Sequence, residues 1–156
     1  MMELQSNDPK NTNIDYLSNP PSEDSSIEPN IPTLLLVEDN RIALKVVESM
    51  VSQTEYQFIS CIDGESALHL CQSTNLDMII TDIGLPGISG IELTQKIRLW
   101  ESQTAREPIP IIGLTAHAAD QVKQDCLLSG MNQIYSKPLE LKDLKAIQYQ
   151  FCKYTN

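Results

Sequence analysis

From Pro32 onward the chain alternates five short apolar runs with five amphipathic stretches, and few architectures can absorb that order. Thr33–Val37 (TLLLV) is apolar almost without a break, as a strand buried on both faces requires. Residues 40–53 then carry a helical period, with Ala43, Val46, Val47, Met50 and Val51 on one side. The spacing predicts a second strand over 57–61 and a helix over 64–71 carrying Ala67, Leu68 and Leu70. A third strand follows over 78–81 (MIIT), and a third helix over 91–100. Residues 110–114 (PIIGL) read as the fourth strand, and 120–129 as a helix stopped by Gly130. A short fifth strand over 133–136 leads to a last helix over 140–151, with Leu141, Leu144, Ile147 and Phe151 as its inner stripe. Five strand–helix units in about 120 residues predict an α/β fold: a doubly wound, five-stranded parallel sheet with helices on both faces.

The first 31 residues read differently. They hold six acids (Glu3, Asp8, Asp15, Glu23, Asp24 and Glu28) against Lys10 alone, among many Asn, Ser and Pro. No apolar period survives two turns there, so the stretch predicts a disordered acidic tail or linker, with the domain proper over 32–156. The whole chain has a net charge of -10, which disfavours nucleic acid and anionic membrane surfaces as partners. No apolar run approaches the roughly 20 residues of a membrane span, and the N-terminus lacks a secretory pattern. A soluble, cytoplasmic chain is the expectation. Cys61, Cys71, Cys126 and Cys152 form no Cys-x-x-Cys pair, and His69 and His117 stand far apart, so no zinc framework exists. Reduced, buried thiols and a surface His117 are the plain readings.

In open parallel sheets ligands bind at the carboxyl ends of the strands. Here those ends carry Glu38 and Asp39, then Asp82, then Thr115, then Lys137 before Pro138. Three carboxylates with one ammonium and one hydroxyl suit a hard, oxygen-seeking cation, and Mg²⁺ is the natural choice. With a phosphoryl group added, the cation, the lysine and the hydroxyl would share its oxygens. Taken singly, each residue has an ordinary explanation. Glu38 and Asp39 could sit at a helix N-terminus, Asp82 in a turn, Thr115 as a helix cap and Lys137 in a loop.

Four runs carry a family resemblance: LLLVEDN (34–40), IITDIGLPGISG (79–90), IIGLTAHA (111–118) and GMNQIYSKPL (130–139). Together they resemble the receiver domain of two-component response regulators, in form most like the receivers of hybrid sensor histidine kinases. The resemblance covers residues 32–152 and implies a flavodoxin-like (βα)5 fold with strand order 2-1-3-4-5. It implies that Asp82 accepts a phosphoryl group from a phosphohistidine of a histidine kinase or histidine phosphotransfer domain. It further implies Mg²⁺ held by Asp39, Asp82 and the Gly84 backbone carbonyl, with Glu38 acting through water. Thr115 matches the switch hydroxyl, Lys137 the lysine that pairs with the acceptor, and Ala116 the small neighbour that admits the phosphoryl group. A cis Lys137–Pro138 bond is implied as well.

One position departs from the pattern. The family places an aromatic residue three before the lysine, where this chain has Ile134, and Tyr135 should face the other way by strand alternation. Phosphorylation is therefore expected to shift the surface over 120–150 only modestly. Beyond self-catalysed phosphoryl transfer and autodephosphorylation, no separate enzyme activity is expected. The resemblance to hybrid-kinase receivers implies a phosphorelay step or the C-terminal part of such a kinase, whereas Met1 fits a stand-alone receiver.

Competing classes lack their signatures. A flavodoxin-like cofactor binder needs a phosphate-cradling loop after the first strand, where this chain has Glu38 and Asp39. A haloacid-dehalogenase-type phosphohydrolase needs a second Asp two residues after the nucleophile, where this chain has Gly84. The remaining alternative is a receiver that no longer takes phosphate and acts as a protein interaction module.

Overall fold

The computed structural model describes residues 30–117 and 119–152. The tail expected over 1–31 therefore lies, apart from Asn30 and Ile31, outside the described residues. Strands β1 (Thr33–Val37), β2 (Gln57–Cys61), β3 (Met78–Asp82), β4 (Ile111–Thr115) and β5 (Gln133–Ser136) form one parallel sheet in the order β2-β1-β3-β4-β5. Helices α1 (Arg41–Ser52), α2 (Gly64–Ser73), α3 (Gly90–Gln103), α4 (Asp120–Ser129) and α5 (Leu141–Phe151) connect and cover it. This is the doubly wound sheet that the sequence pattern predicts, in the strand order that the family resemblance implies.

Two cores explain the apolar strands. Leu34 and Leu36 of β1, with Met78 and Ile80 of β3, face α1 and α5 through Leu44, Val47, Val51, Leu144 and Ile147. The alternate residues Leu35, Val37 and Ile79 face α2, α3 and α4 through Ala67, Cys71, Leu93, Ile97 and Cys126. A strand with helices on both sides has no polar face, so its sequence cannot alternate. Each of the largest buried side chains contributes about 1.5–3 kcal/mol relative to exposure, and they cluster in β1, β3, β4 and the helices that cover them.

Several boundaries and facings differ from expectation. β3 extends by one residue to include Asp82, and β4 runs to Thr115. Both strands therefore deliver polar side chains at their last ladder positions. α2 and α3 outrun their apolar stripes, to Ser73 and Gln103. On α1 the buried line is Leu44, Val47, Met50 and Val51, while Val46 is half exposed. At 3.6 residues per turn Leu44 shares a face with Val47 and Val51, whereas Val46 sits on the shoulder. On α2 the inner positions are Ala67 and Cys71; Leu68 and Leu70 pack only at the rim.

The ends of the helices are locally encoded. Asn40 caps α1 by accepting from the Ala43 N–H at 2.9 Å, Asp63 caps α2 from Ser66, and Ser89 caps α3 from Glu92. α4 ends at Gly130, whose φ of 115° lies in the left-handed region that favours glycine. Gly90 serves a different need: a Cβ there would come within 2.6 Å of the Asp82 carbonyl oxygen. A side chain at 90 would push the start of α3 away from the end of β3.

All four cysteines are free. Burial pushes the Cys61 and Cys71 thiols up to about 11 and the Cys152 thiol to about 12. They stay protonated at neutral pH, in keeping with the reading of inert thiols.

Candidate functional site

The parallel strands bring Glu38, Asp39, Asp82, Thr115 and Lys137 to one edge of the sheet. Glu38 follows β1 and extends its ladder, its N–H donating to the Cys61 carbonyl. The residue is 4% exposed, and each of its carboxylate oxygens has a partner. Oε1 lies 2.7 Å from Lys137 Nζ, and Oε2 accepts from the Asn40 N–H at 3.0 Å. Asp39 turns outward and is exposed. Asp82, at the end of β3, is 8% exposed. Its Oδ1 accepts from the Gly84 N–H at 3.3 Å and lies 3.4 Å from Lys137 Nζ.

One carboxylate oxygen from each of Glu38, Asp39 and Asp82 lies within 4.8 Å of the others. Facing these three acids is Lys137. Burial works against its charge, but the Glu38 hydrogen bond and the charges of Asp82 and Glu38 outweigh it and raise its pKa. Lys137 therefore stays ammonium, and the cluster keeps an excess of negative charge. Hard oxygens in this arrangement suit a hard cation.

Thr115, buried at the end of β4, uses its hydroxyl twice: Oγ1 donates to the His117 carbonyl at 2.9 Å and accepts from the His117 N–H at 3.0 Å. The helix-cap explanation of Thr115 does not hold, because the N-cap of α4 is Ala119. His117 is exposed, as expected, but its backbone is what holds the threonine, a link with no signal in the sequence pattern. Ala116 beside it is exposed. Lys137 is tied to the same strand end, its N–H donating to the Thr115 carbonyl at 2.8 Å, and the Lys137–Pro138 bond is cis.

Alternation along β5 separates the two residues near the aromatic position. Ile134 packs with the cluster under α2, α3 and α4, and Tyr135 with the cluster under α1 and α5. The Tyr135 hydroxyl donates to Gln133 Oε1 at 3.1 Å. One further feature was not foreseen. A cleft of about 160 Å³ runs beside the acids, walled by Val46, Met50, Leu114, Pro138 and Leu139, with Glu38 and Lys137 on its polar side. Val46, which looked like core in the helical period, lines this cleft instead.

Comparison with known proteins agrees with this geometry. The profile of the family described as response regulator receiver domain matches residues 34–148. The sensor histidine kinase GacS of Pseudomonas protegens is 30% identical over 124 residues, covering 80% of this chain and 14% of the kinase. The chain thus spans about one-seventh of the length of that relative. Among solved structures, the co-crystal structure of the Saccharomyces cerevisiae histidine phosphotransfer signaling protein Ypd1 and the receiver domain of Ssk1 matches with a TM-score of 0.74 at 31% identity. That match covers 78% of this chain and 90% of the other. The receiver domain of sensor histidine kinase PA1611 from Pseudomonas aeruginosa, with a magnesium ion coordinated in its active site cleft, matches with a TM-score of 0.68 at 32% identity. It covers 78% and 98% of the two chains.

Proposed function

The chain belongs to the response regulator receiver family, and on that premise we propose that Asp82 accepts a phosphoryl group from a phosphohistidine in a Mg²⁺-dependent reaction. The observation that carries this reading is the meeting of Glu38, Asp39 and Asp82 within 4.8 Å, with Lys137 beside two of them. The donor set fits the metal: hard carboxylate oxygens from three residues, of which Asp39 is exposed. Asp39, Asp82 and the Gly84 carbonyl would hold it directly. Glu38 has both oxygens occupied by Lys137 and the Asn40 N–H, which favours contact through water. Bound there, Mg²⁺ supplies positive charge to the phosphoryl oxygens.

The chain's own groups do the rest. Asp82 Oδ attacks phosphorus, the P–N bond to the donor imidazole breaks, and the bond electrons return to the ring nitrogen. Lys137 moves its charge from the acids toward the phosphoryl oxygens, and the Thr115 hydroxyl donates to another. The exposed Ala116 leaves that approach uncrowded. The donor is a histidine kinase or a histidine phosphotransfer domain, in the cytoplasm. On this reading residues 32–156 make up the receiver and 1–31 an acidic tail or linker, in a stand-alone protein or the C-terminal part of a hybrid sensor kinase. A receiver without phosphorylation is the less favoured reading, because Glu38, Asp39, Asp82 and Lys137 all meet at one edge of the sheet.

The test is incubation with acetyl phosphate and Mg²⁺. Wild-type protein should gain one acid-stable, base-labile phosphoryl group, and Asp82→Asn none. Label persisting on Asp82→Asn would place the acceptor elsewhere.

A further inference from the structure

The loop that leaves Asp82 is fastened at its two ends and bare in between. The Ile83 N–H donates to the Leu114 carbonyl at 2.9 Å, and the Gly90 N–H donates back to the Ile83 carbonyl at 2.9 Å. Gly84 adds its N–H to Asp82 Oδ1 at 3.3 Å. Among the described residues, the backbone N–H groups of Leu85, Gly87 and Ile88 donate to no protein group. Packing therefore holds this stretch, and two side chains supply it. Leu85 is buried in the core under α2, α3 and α4, and the partly buried Ile88 packs on the same cluster.

The wall beside Ile88 is the first turn of α2. Gly64, buried at the start of that helix, lies so close that a Cβ there would stand 2.5 Å from Ile88 Cγ1 and 3.0 Å from the Ile88 carbonyl oxygen. The next residue repeats the contact. A Cβ on Gly87 would stand 3.0 and 3.2 Å from the two carboxylate oxygens of Glu65. Gly64 is not left-handed; among the described glycines only Gly87 and Gly130 are. No turn demands glycine at 64, and helix formation favours alanine over it. What position 64 requires is room. Ile88 does not yield it freely, because Cγ1 is the near end of a side chain stiff at χ1, and the carbonyl is main chain.

We propose that Gly64 is a positioning residue: the bare first turn of α2 is the seat of Ile88, and through Ile88 it sets where the loop holds Gly84. Both ends of the loop are pinned, so a displacement at Ile88 is taken up within residues 84–88. That Gly84 lends its carbonyl to Mg²⁺ is the reading given above, and the metal part of the test rests on it; the seat does not.

Amide chemical shifts of the metal-free protein and calorimetric Mg²⁺ titration test the proposal on Gly64→Ala, Ile88→Ala and the double variant. Gly64→Ala should move the Gly84 and Leu85 amides and leave those of α5, on the far face of the sheet, in place. It should weaken Mg²⁺ binding about tenfold, the low end of the losses seen when a group supporting a metal ligand is displaced. A purely helical role for Gly64 would move neither. Ile88→Ala removes the obstructing atoms, so the double variant should bind Mg²⁺ within about threefold of wild type and bring the Gly84 amide back toward its original position. Ile88→Ala alone empties the seat without a clash and should also move the Gly84 amide, so it decides the matter if Gly64→Ala does not fold. An unmoved Gly84 amide in either folded single variant overturns the seat. So does a double variant no closer to wild type than Gly64→Ala, or shifts in α5 as large as those at Gly84. Wild-type Mg²⁺ affinity in Gly64→Ala overturns the positioning role. If wild type takes up no Mg²⁺ while the amide shifts and their rescue stand, the metal reading fails and the seat is supported.

Discussion

The two ends of the sheet both bury charge, and they treat it in opposite ways. At the amino end of β4 and β5, Arg98 meets Glu101, and the remaining hydrogen-bonding capacity is spent on Gly130, Asn132 and Ile109. Charge is balanced there. At the carboxyl end, Glu38, Asp39 and Asp82 face Lys137. A satisfied network of this kind fixes a structure, whereas an unbalanced cluster retains affinity for something the chain does not supply. The difference separates a self-satisfied scaffold from the candidate site, although both look equally polar in sequence.

The strongest way to break the comparison is at the balanced end. Glu101→Ala leaves Arg98, with its side chain 22% exposed, without its partner and the Ile109 N–H without an acceptor. We expect a loss of about 3 kcal/mol in unfolding free energy, by urea denaturation, from the broken pair and the orphaned donor. A change below about 1 kcal/mol would show that the network is not the scaffold described here.

At the unbalanced end, adding the missing charge should stabilise. Mg²⁺ at ten times its dissociation constant should add about 1.4 kcal/mol to the folded state. Asp39→Ala should abolish that gain in a thermal melt and prevent phosphorylation without unfolding the domain. Undiminished phosphorylation of Asp39→Ala would remove Asp39 from the metal site.

Without metal, removing an acid from this end should relieve repulsion. Asp82→Asn loses an attraction to Lys137 at 3.4 Å but also the repulsion of two neighbouring carboxylates. Lys137 keeps Glu38 at 2.7 Å. The balance should stabilise the metal-free protein by about 0.5–1 kcal/mol, after screening around the exposed Asp39. The same substitution destroys the proposed activity. A site side chain whose loss strengthens the fold is the reverse of Glu101.

How much of this contrast was legible in the sequence depends on the kind of signal. The parallel sheet and its two cores follow from the apolar runs, because a two-sided strand leaves an unbroken pattern, whereas the strand order came only with the family resemblance. The site residues were legible because a parallel sheet gathers its strand ends, so position alone brings Glu38, Asp82, Thr115 and Lys137 together. The Arg98 network was not. Arg98 is 32 residues from Gly130, and nothing in a helical period distinguishes an arginine that spans two elements from one in solvent. Val46 failed for a related reason: period places it near the inner face, but the Pro138–Leu139 turn leaves a cleft beside it. Periodicity records which face is apolar; it does not record what lies opposite.

The smallest expected effect separates the two cations. The cation at the amino end is a guanidinium, a group that keeps its charge through the alkaline range in which an ammonium gives it up. Lys137 does titrate. Burial disfavours its ammonium, but the Glu38 hydrogen bond and the Asp82 and Glu38 charges raise its pKa above the ordinary 10.5. A group whose folded pKa is raised contributes stability that is fully present below the unfolded value. That contribution fades as pH climbs from 10.5 through the folded value. Raising the pH through this window should shift the amides of Glu38 and Asp82, whose carboxylates lose their ammonium, and of Gly84, which donates to Asp82, before those of Ile109 and Asn132. Lys137→Met should remove the carboxyl-end response and leave any alkaline change elsewhere in place. If both ends respond together in wild type and in Lys137→Met alike, the alkaline transition is global and the separation of site from scaffold fails at this test.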